Sequence, residues 1–472
     1  MTDHTRLPFK PLICYSIGNV TLTAIYGYIG AFLLKYYTDQ VHLDPAWIGW
    51  ALLSRSIVDA VIDPLIGYCS DRTQLPQGRR RPYFVIGTIP AAFLFYLMMI
   101  PPQGSQFVIF AYLTVISTLM VCFLSLMGIS HQAMGFELTS DYDERTRLFG
   151  YKNLIENFTI LIATFSVPIA LHLDGTTFFG HLFSRADCYC LAAAVLAVIS
   201  VVAALIAYFG TSEGPSAPAE REYSFGDGLL GVFKNDAFLV LLIVFVSMTI
   251  ADRVIAAEFF IVLEQYHGLR EENSIALLVC FFLGGLVSVW PWVWLAQRYG
   301  KDVILRVAIA VWPFLCAAFV ACKWSITELC LVTFGIGVSG TGFITIIGAI
   351  VPDVLEYEKA KTNQRREGMY VSIGNVVYQV AMGVGFLVAG QTLHLVGYQG
   401  EKSDSTEFVW GLRLTFAAVP FLLSAVSLIA LAYFPITKHS YRQMVDLLEG
   451  AAKFPIGVEP SVQSVPLEGN MG

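Results

Sequence analysis

The sequence predicts an all-α polytopic membrane protein with twelve transmembrane helices arranged as two six-helix bundles, and three observations predict it. Of 472 residues, 56% are hydrophobic and only 14% are charged, with a mean hydropathy of +0.64. A soluble domain carries about 25% charged residues, so a surface this poor in charge must largely face lipid. The apolar residues gather into long runs of helical length. Twelve spans of about 20 residues use about 240 residues, which leaves short connections and one longer linker. The third observation is that basic residues collect in alternate connections. The net charge of −7 matters less than the side on which the charges lie.

In chain order the spans are expected at about 12–36, 46–70, 83–101, 107–133, 150–173, 187–210, 237–264, 274–296, 303–322, 328–351, 369–396 and 411–435. Each is bounded by Pro, Gly or charge. Span 10 contains Gly335, Gly337, Gly340 and Gly342; packed membrane helices use such small residues for close approach. The connections after even-numbered spans hold Arg72, Arg79, Arg80 and Arg81, then Arg145, Arg147 and Lys152. Farther on come Arg298, Lys301 and Arg306, and finally Lys359, Lys361, Arg365 and Arg366. The opposite connections around Val41 and Gln103 hold no Lys or Arg. By the positive-inside rule both termini are expected in the cytoplasm, with the protein in the cell (inner or plasma) membrane. Met1 to Lys10 is polar and the run after it is too long for the core of a cleavable signal.

From Thr211 to Asp236 Gly, Ser, Pro, Ala and charge replace the apolar runs. The expected organisation is an N-terminal bundle over 1–210, a cytoplasmic linker over 211–236, a C-terminal bundle over 237–436 and a cytoplasmic tail over 437–472. Gly67, Asp71, Arg72 and GRRRP at 78–82 correspond in position to Arg298, Gly300 and Lys301 after span 8. Two six-span halves related by an axis along the membrane normal form the major-facilitator plan. The nine cysteines lie mostly inside apolar runs with no metal-ligand spacing, and read as small buried hydrophobes.

Ionisable residues inside a span are costly, so each one points to function first. In span 2, Asp59 and Asp63 lie four residues apart, about 40° around a helix, and share a face. Two carboxylates together in low dielectric cannot both stay ionised without a cation, which is the chemistry of a reversible proton site or a sodium site. The alternative is a pair satisfied by Arg55 and nearby hydroxyls for packing. Span 7 holds Asp252, Arg253 and Glu258, as candidate solute contacts or structural ion pairs. His131 and Gln132 on span 4, and Glu156 and Asn157 on span 5, suit either gating hydrogen bonds or solute contact. Asn19, Thr21 and Thr23 on span 1, with Asn375, Tyr378 and Gln379 on span 11, form polar faces suited to a hydroxyl-rich solute or to joining helices. The charged strings at span ends hold Asp71, Arg72, Arg79, Glu137, Asp141, Arg145, Asp353, Glu356, Arg365 and Arg366. They form either a solvated face or an inner gate that breaks when a cavity opens.

DAVIDPLIG (59–67) with GRRRP, FELTSDYDERTRL (136–148) and PDVLEYEKAKTNQRREG (352–368) resemble the signatures of the glycoside–pentoside–hexuronide:cation symporters. This is the major-facilitator branch of the melibiose carrier and the sodium-coupled lysophospholipid carriers. The resemblance is clear over spans 1–5 and 10–11 and extends elsewhere only in layout. It implies that Asp59 and Asp63 hold the coupling cation, with a hydroxyl at Ser125. Several family positions differ: an Asn that helps hold sodium falls at Ile62, and a further acid on span 4 falls at Gly128. The Arg of span 2 falls at Ser56, beside Arg55, and the solute-gripping acid of span 1 falls at Thr23. The Arg of span 5 falls at Asn153 and the Lys of span 11 at Gln379. Ile62 and Gly128 bring no side-chain oxygen, so proton coupling is expected over sodium, with Asp59 and Asp63 as the possible sodium site. The altered solute positions point away from a melibiose-like solute, and Arg253 suits a uronate or another organic anion.

The expectation is therefore a cation-coupled symporter of a small glycoside-like or acidic solute, monomeric, surrounded by membrane lipid and needing no cofactor beyond H+ or Na+. The alternatives are a carrier of an amphiphile such as a lysophospholipid, and a non-transporting sensor or scaffold. The sequence offers no metal-ligand spacing, phosphate loop or nucleophile–base pair for an enzyme, and no basic domain for nucleic acid.

Overall fold

The computed structural model describes residues 7–72, 80–139, 141–178, 181–212, 235–362, 367–400 and 406–436. The expected linker and tail lie largely outside them, at 213–234 and 437–472. The described residues form twelve long helices: α1 (Phe9–Asp39), α2 (Pro45–Arg72), α3 (Pro82–Met98), α4 (Gln106–Glu137), α5 (Tyr142–Ala170) and α6 (Arg185–Gly210). Then follow α7 (Asp236–Gln265), α8 (Ile275–Tyr299), α9 (Lys301–Ala321), α10 (Ile326–Thr362), α11 (Glu367–Leu395) and α12 (Thr406–Ala432). Ten are long and apolar enough to cross a membrane, and α3 is a shorter apolar helix. The intramembrane charges of α2 keep it out of that set. Between α5 and α6 lies a two-residue hairpin, Thr177–Phe178 with His181–Leu182.

Side chains fix the helix ends. Ser184 and Asp187 form a reciprocal capping box at α6, and Asn235 accepts from the Phe238 N–H at the start of α7. Arginines satisfy the carbonyls left over at three C-terminal ends: Arg81 donates to Tyr208 O, Arg413 to Val320 O and Arg306 to Leu431 O. Two strings expected beyond the spans are partly helical instead. Asp141 caps α5 by accepting from the Glu144 N–H at 2.9 Å, so α5 starts at Tyr142. α10 runs for 37 residues, to Thr362, about 55 Å at 1.5 Å per residue against a hydrocarbon core of about 30 Å. Glu and Lys are good helix formers, so the helix continues past the lipid.

α1 is interrupted at Asn19 and makes one π-turn over Ile29–Leu33, a distortion often found at functional positions. The bundles meet along α2–α11, α1–α7 and α5–α8. The backbones of α2 and α11 approach closely because Gly390 faces the Pro45 carbonyl and Gly383 faces Ser56; any side chain on Gly390 would strike that carbonyl. We call the face on which α1 begins proximal, and the opposite face distal.

Candidate transport cavity

A cavity of about 680 Å³ lies between the bundles, lined by α1, α2, α4, α5 and α7–α11. Of the expected site residues, Asn19, Thr23, Asp59, Asp63, Ser125, Gly128, Gln132, Asp252, Arg253, Asn375 and Gln379 line it. Asp59 is 3% exposed. It accepts from Ser125 Oγ at 2.5 Å and from the Tyr26 hydroxyl at 3.4 Å. Arg55, one helical turn away on α2, is 2% exposed and lies over the Tyr26 ring at 5.2 Å. Asp63 is held from the opposite bundle: Gln379 Nε2 of α11 donates to its Oδ2 at 2.6 Å. The other oxygens, Asp63 Oδ1 and Gln379 Oε1, are buried acceptors that receive no hydrogen bond from the described residues.

The remaining cavity charges are paired. Lys152 and Glu156, one turn apart on α5, bond at 2.6 Å, and the Asn19 amide donates to the same carboxylate. Arg253 turns back onto its neighbour Asp252, at 2.5 and 3.1 Å. The described lining therefore holds four acids (Asp59, Asp63, Glu156, Asp252) and three bases (Arg55, Lys152, Arg253), a net charge of 3 − 4 = −1. Among the described residues no ion pair joins Arg55 to Asp59 or Asp63, and Arg55 Nε and Nη1 are buried without a hydrogen bond, so one arginine is left for the two acids of α2.

Residues 14–438 match the family model described as MFS/sugar transport protein. The chain belongs to that family. This transporter is 25% identical to the sodium-dependent lysophosphatidylcholine symporter 1-A of Danio rerio, over 90% of this chain and 85% of the relative. It is 22% identical to the glucuronide carrier protein homolog of Escherichia coli K12, over 95% and 97%. A bacterial homolog of the human lysosomal transporter Spinster, solved inward-facing and unoccupied, shares the fold with a TM-score of 0.66 and 13% identity, over 90% of this chain and 98% of that one. The protein is thus an integral membrane transporter of the major facilitator fold, with its twelve helices in two bundles.

Three expected solute contacts of the transporter do not line the cavity. His131 is fully buried against α1, stacked on Tyr15 at 4.2 Å with Nε2 2.7 Å from the Tyr15 carbonyl, and packs α4 on α1. Asn153 lies on the exposed side of α5, where its carbonyl accepts from Asn157. Glu258 is buried among α7, α11 and α12, bonded to Thr392 and Thr415. The intramembrane acid was legible, but not the face on which it lies.

The expected inner gate is described in part. Arg79, Arg365 and Arg366 lie outside the described residues, and Asp71 and Arg72 close α2 with side chains outside them. Glu137 bonds Arg80 at 2.9 Å and Asp353 bonds Lys301 at 2.7 Å. These two bonds tie the start of α3 to α4 and the start of α9 to α10, equivalent places in the two bundles, so they brace within a bundle. Asp141 is the α5 cap, Arg145 donates to the Thr139 carbonyl, and Glu356 is exposed on α10.

The distal end carries a network that sequence reasoning did not single out. Lys35 of α1, 1% exposed, bonds Asp39, Glu264 of α7 at 2.6 Å and Glu271 before α8 at 3.3 Å. Glu271 also receives the Tyr189 hydroxyl at 2.6 Å and lies 3.5 Å from Arg185, both of α6. Tyr398 donates to Asp39 at 2.5 Å, and His394 meets Asp44 at 2.8 Å. All of these except Lys35–Asp39 join the two bundles. The available signal was a lysine inside an apolar run with an acid four residues on.

Proposed function

We propose that the protein is a cation-coupled symporter that moves a small glycoside-like solute by alternating access, with the coupling cation at Asp59 and Asp63. The carrying observation is the odd acid: four carboxyl groups against three bases in one cavity, with Asp63 Oδ1 unbonded. A half-buried carboxylate with one buried, unbonded oxygen in that position calls for a cation. A proton is the first reading, because Ile62 and Gly128 contribute no side-chain oxygen. Sodium is the second, favoured by Asp63 Oδ1 and Gln379 Oε1, two orphaned acceptors beside the oxygens of Asp59 and Ser125. Uptake at fixed pH with and without sodium separates them: a strong sodium requirement at neutral pH rules out proton coupling.

The solute reading rests on the cavity walls. Asn19, Gln132, Asn375 and the ion pairs offer donors and acceptors in its proximal and middle parts, while Phe259, Phe260, Phe281 and Phe282 form an aromatic distal end. Such a division suits a polar glycone with an apolar substituent. It also favours a second reading, an amphiphile such as a lysophospholipid. Arg253 already holds Asp252, so an acidic solute there must displace a carboxylate. A thermal-stabilisation screen with neutral glycosides, uronates and lysolipids decides, since a ligand of the folded state raises the melting temperature. A response to lysolipids alone overturns the glycoside reading.

The basic residues support a cytoplasmic proximal face in the cell membrane, with both termini and a linker over 211–236 on that side. The distal network joins the two bundles on the opposite side of the cavity. Each chain encloses its own pathway, so the working unit is the monomer; nucleic acid plays no part.

A further inference from the structure

Glu258 is an acid in the apolar interior of the C-terminal bundle, outside the cavity, with 0% of its surface exposed. Its Oε1 lies 2.9 Å from Thr392 Oγ1 of α11, and its Oε2 lies 3.3 Å from Thr415 Oγ1 of α12. Ala389, Leu393, Leu412 and Phe416, all buried, flank the two threonines. Among the described residues no basic side chain bonds it. Counting hydrogens decides its state. Each threonine hydroxyl has a single proton to give. Thr392 Oγ1 is also 2.9 Å from the Val388 and Ala389 carbonyls, and Thr415 Oγ1 is 3.0 Å from the Leu412 carbonyl. Those are the back-bonds that helical threonines make. If the hydroxyl protons serve the carbonyls, two oxygens face each other at 2.9 Å unless Glu258 supplies a proton. If they turn to Glu258 instead, two neutral donors are all that offset a charge buried in an apolar interior, which is far costlier than a neutral acid.

We propose that Glu258 is a protonated carboxylic acid that donates its own hydrogen to a threonine and fastens α7 to α11 and α12. It is a positioning residue: Asp252 and Arg253 stand on the same helix six and five residues earlier and reach the cavity from there. The proton stays on the acid through the transport cycle, so Glu258 takes no part in coupling.

Infrared difference spectroscopy of the purified protein against Glu258→Gln tests this. The wild type is expected to show the carbonyl stretch of a protonated carboxyl, sensitive to D2O, in both mildly acidic and mildly alkaline buffer. Carboxylate bands in its place overturn the proposal. Glu258→Gln, which offers an N–H donor to one threonine and a carbonyl acceptor to the other without charge, is expected to melt close to the wild type, while Glu258→Ala melts lower. A Gln variant that melts as low as the Ala variant, or that does not fold, overturns it too. Neither readout depends on the solute or the coupling ion, so failure here leaves the proposed symport standing.

Discussion

Asp63 shows how far a single residue can be read. Its spacing from Asp59 was visible in the sequence, because four residues on a helix always share a face. Its partner Gln379 lies 316 positions away, and only the packing of α2 on α11 brings the two together. The same limit explains His131: a histidine in an apolar helix carries no mark of whether it faces a cavity or a neighbour. Two predictions belong to this scale. Asp63→Asn removes the uncompensated charge while keeping the shape, so cation-driven accumulation is expected to collapse, measured as solute uptake against an imposed cation gradient. Accumulation retained in that variant excludes Asp63 from coupling. Gln379→Leu deletes a hydrogen bond to a charged group, worth about 1.5–3 kcal/mol. Cation affinity measured by calorimetry is then expected to change about tenfold or more, at 1.4 kcal/mol per decade, and an unchanged affinity would make the bond incidental.

Helix positions were legible because lipid demands a long apolar run, and the twelve expected spans agree with the observed helices to within a few residues at most ends. The larger departures, at the start of α5 and the end of α10, occur where charged residues continue a helix into water and hydropathy loses its grip. Internal distortions were not legible. The π-turn of α1 brings Gly30 close to the Arg253 guanidinium, while Gly385 of α11 faces the Arg253 stem. The arginine that pairs with Asp252 therefore threads a slot between two helices that lack side chains there. A Cβ at Gly385 would lie 2.6 Å from Arg253 Cβ and 3.2 Å from the Ile250 carbonyl oxygen, closer than packed atoms tolerate, so Gly385→Ala must shift the α7 backbone and carry the arginine with it. Weaker solute affinity, read as a raised KM for transport, is the expected outcome. Gly374→Ala, on the same helix with nothing within 4 Å, serves as the control: the change to a better helix former, worth up to about 1 kcal/mol, should leave KM alone. Equal effects of the two variants would mean that α11 responds to helix propensity and not to the slot.

At the scale of the whole molecule, alternating access requires that whatever holds the distal ends together can be undone, and Lys35 is the centre of what holds them. Its ammonium belongs to the N-terminal bundle, while Glu264 and Glu271 belong to the C-terminal one. Opening toward the distal face has to separate them. The two-bundle architecture could be read from the linker and the faint repeat, but this junction could not, since its members come from both halves of the chain and meet only when the bundles close. Removing one partner of a buried ion pair costs about 3–5 kcal/mol, because the remaining charges stay uncompensated. Lys35→Met leaves Asp39, Glu264 and Glu271 facing one another with Arg185 beside Glu271 alone, and that cost falls on the distally closed state, where they lie together. It is relieved when the bundles part and water reaches the acids. A bias of this size exceeds the 1.4 kcal/mol that shifts an equilibrium tenfold, so the population is expected to move toward a distally open form. Spin labels at Gln103 and Lys323, exposed at the distal ends of the two bundles, measure it directly in a background with the native cysteines replaced. The distance distribution should shift to longer values in Lys35→Met and return when Glu264→Gln and Glu271→Gln are added to remove the repulsion. A distribution that does not move would mean that the network is a fixed brace and that the bundles are held closed by the apolar contacts of α1 with α7, such as the Phe32–Phe260 ring pair at 4.8 Å.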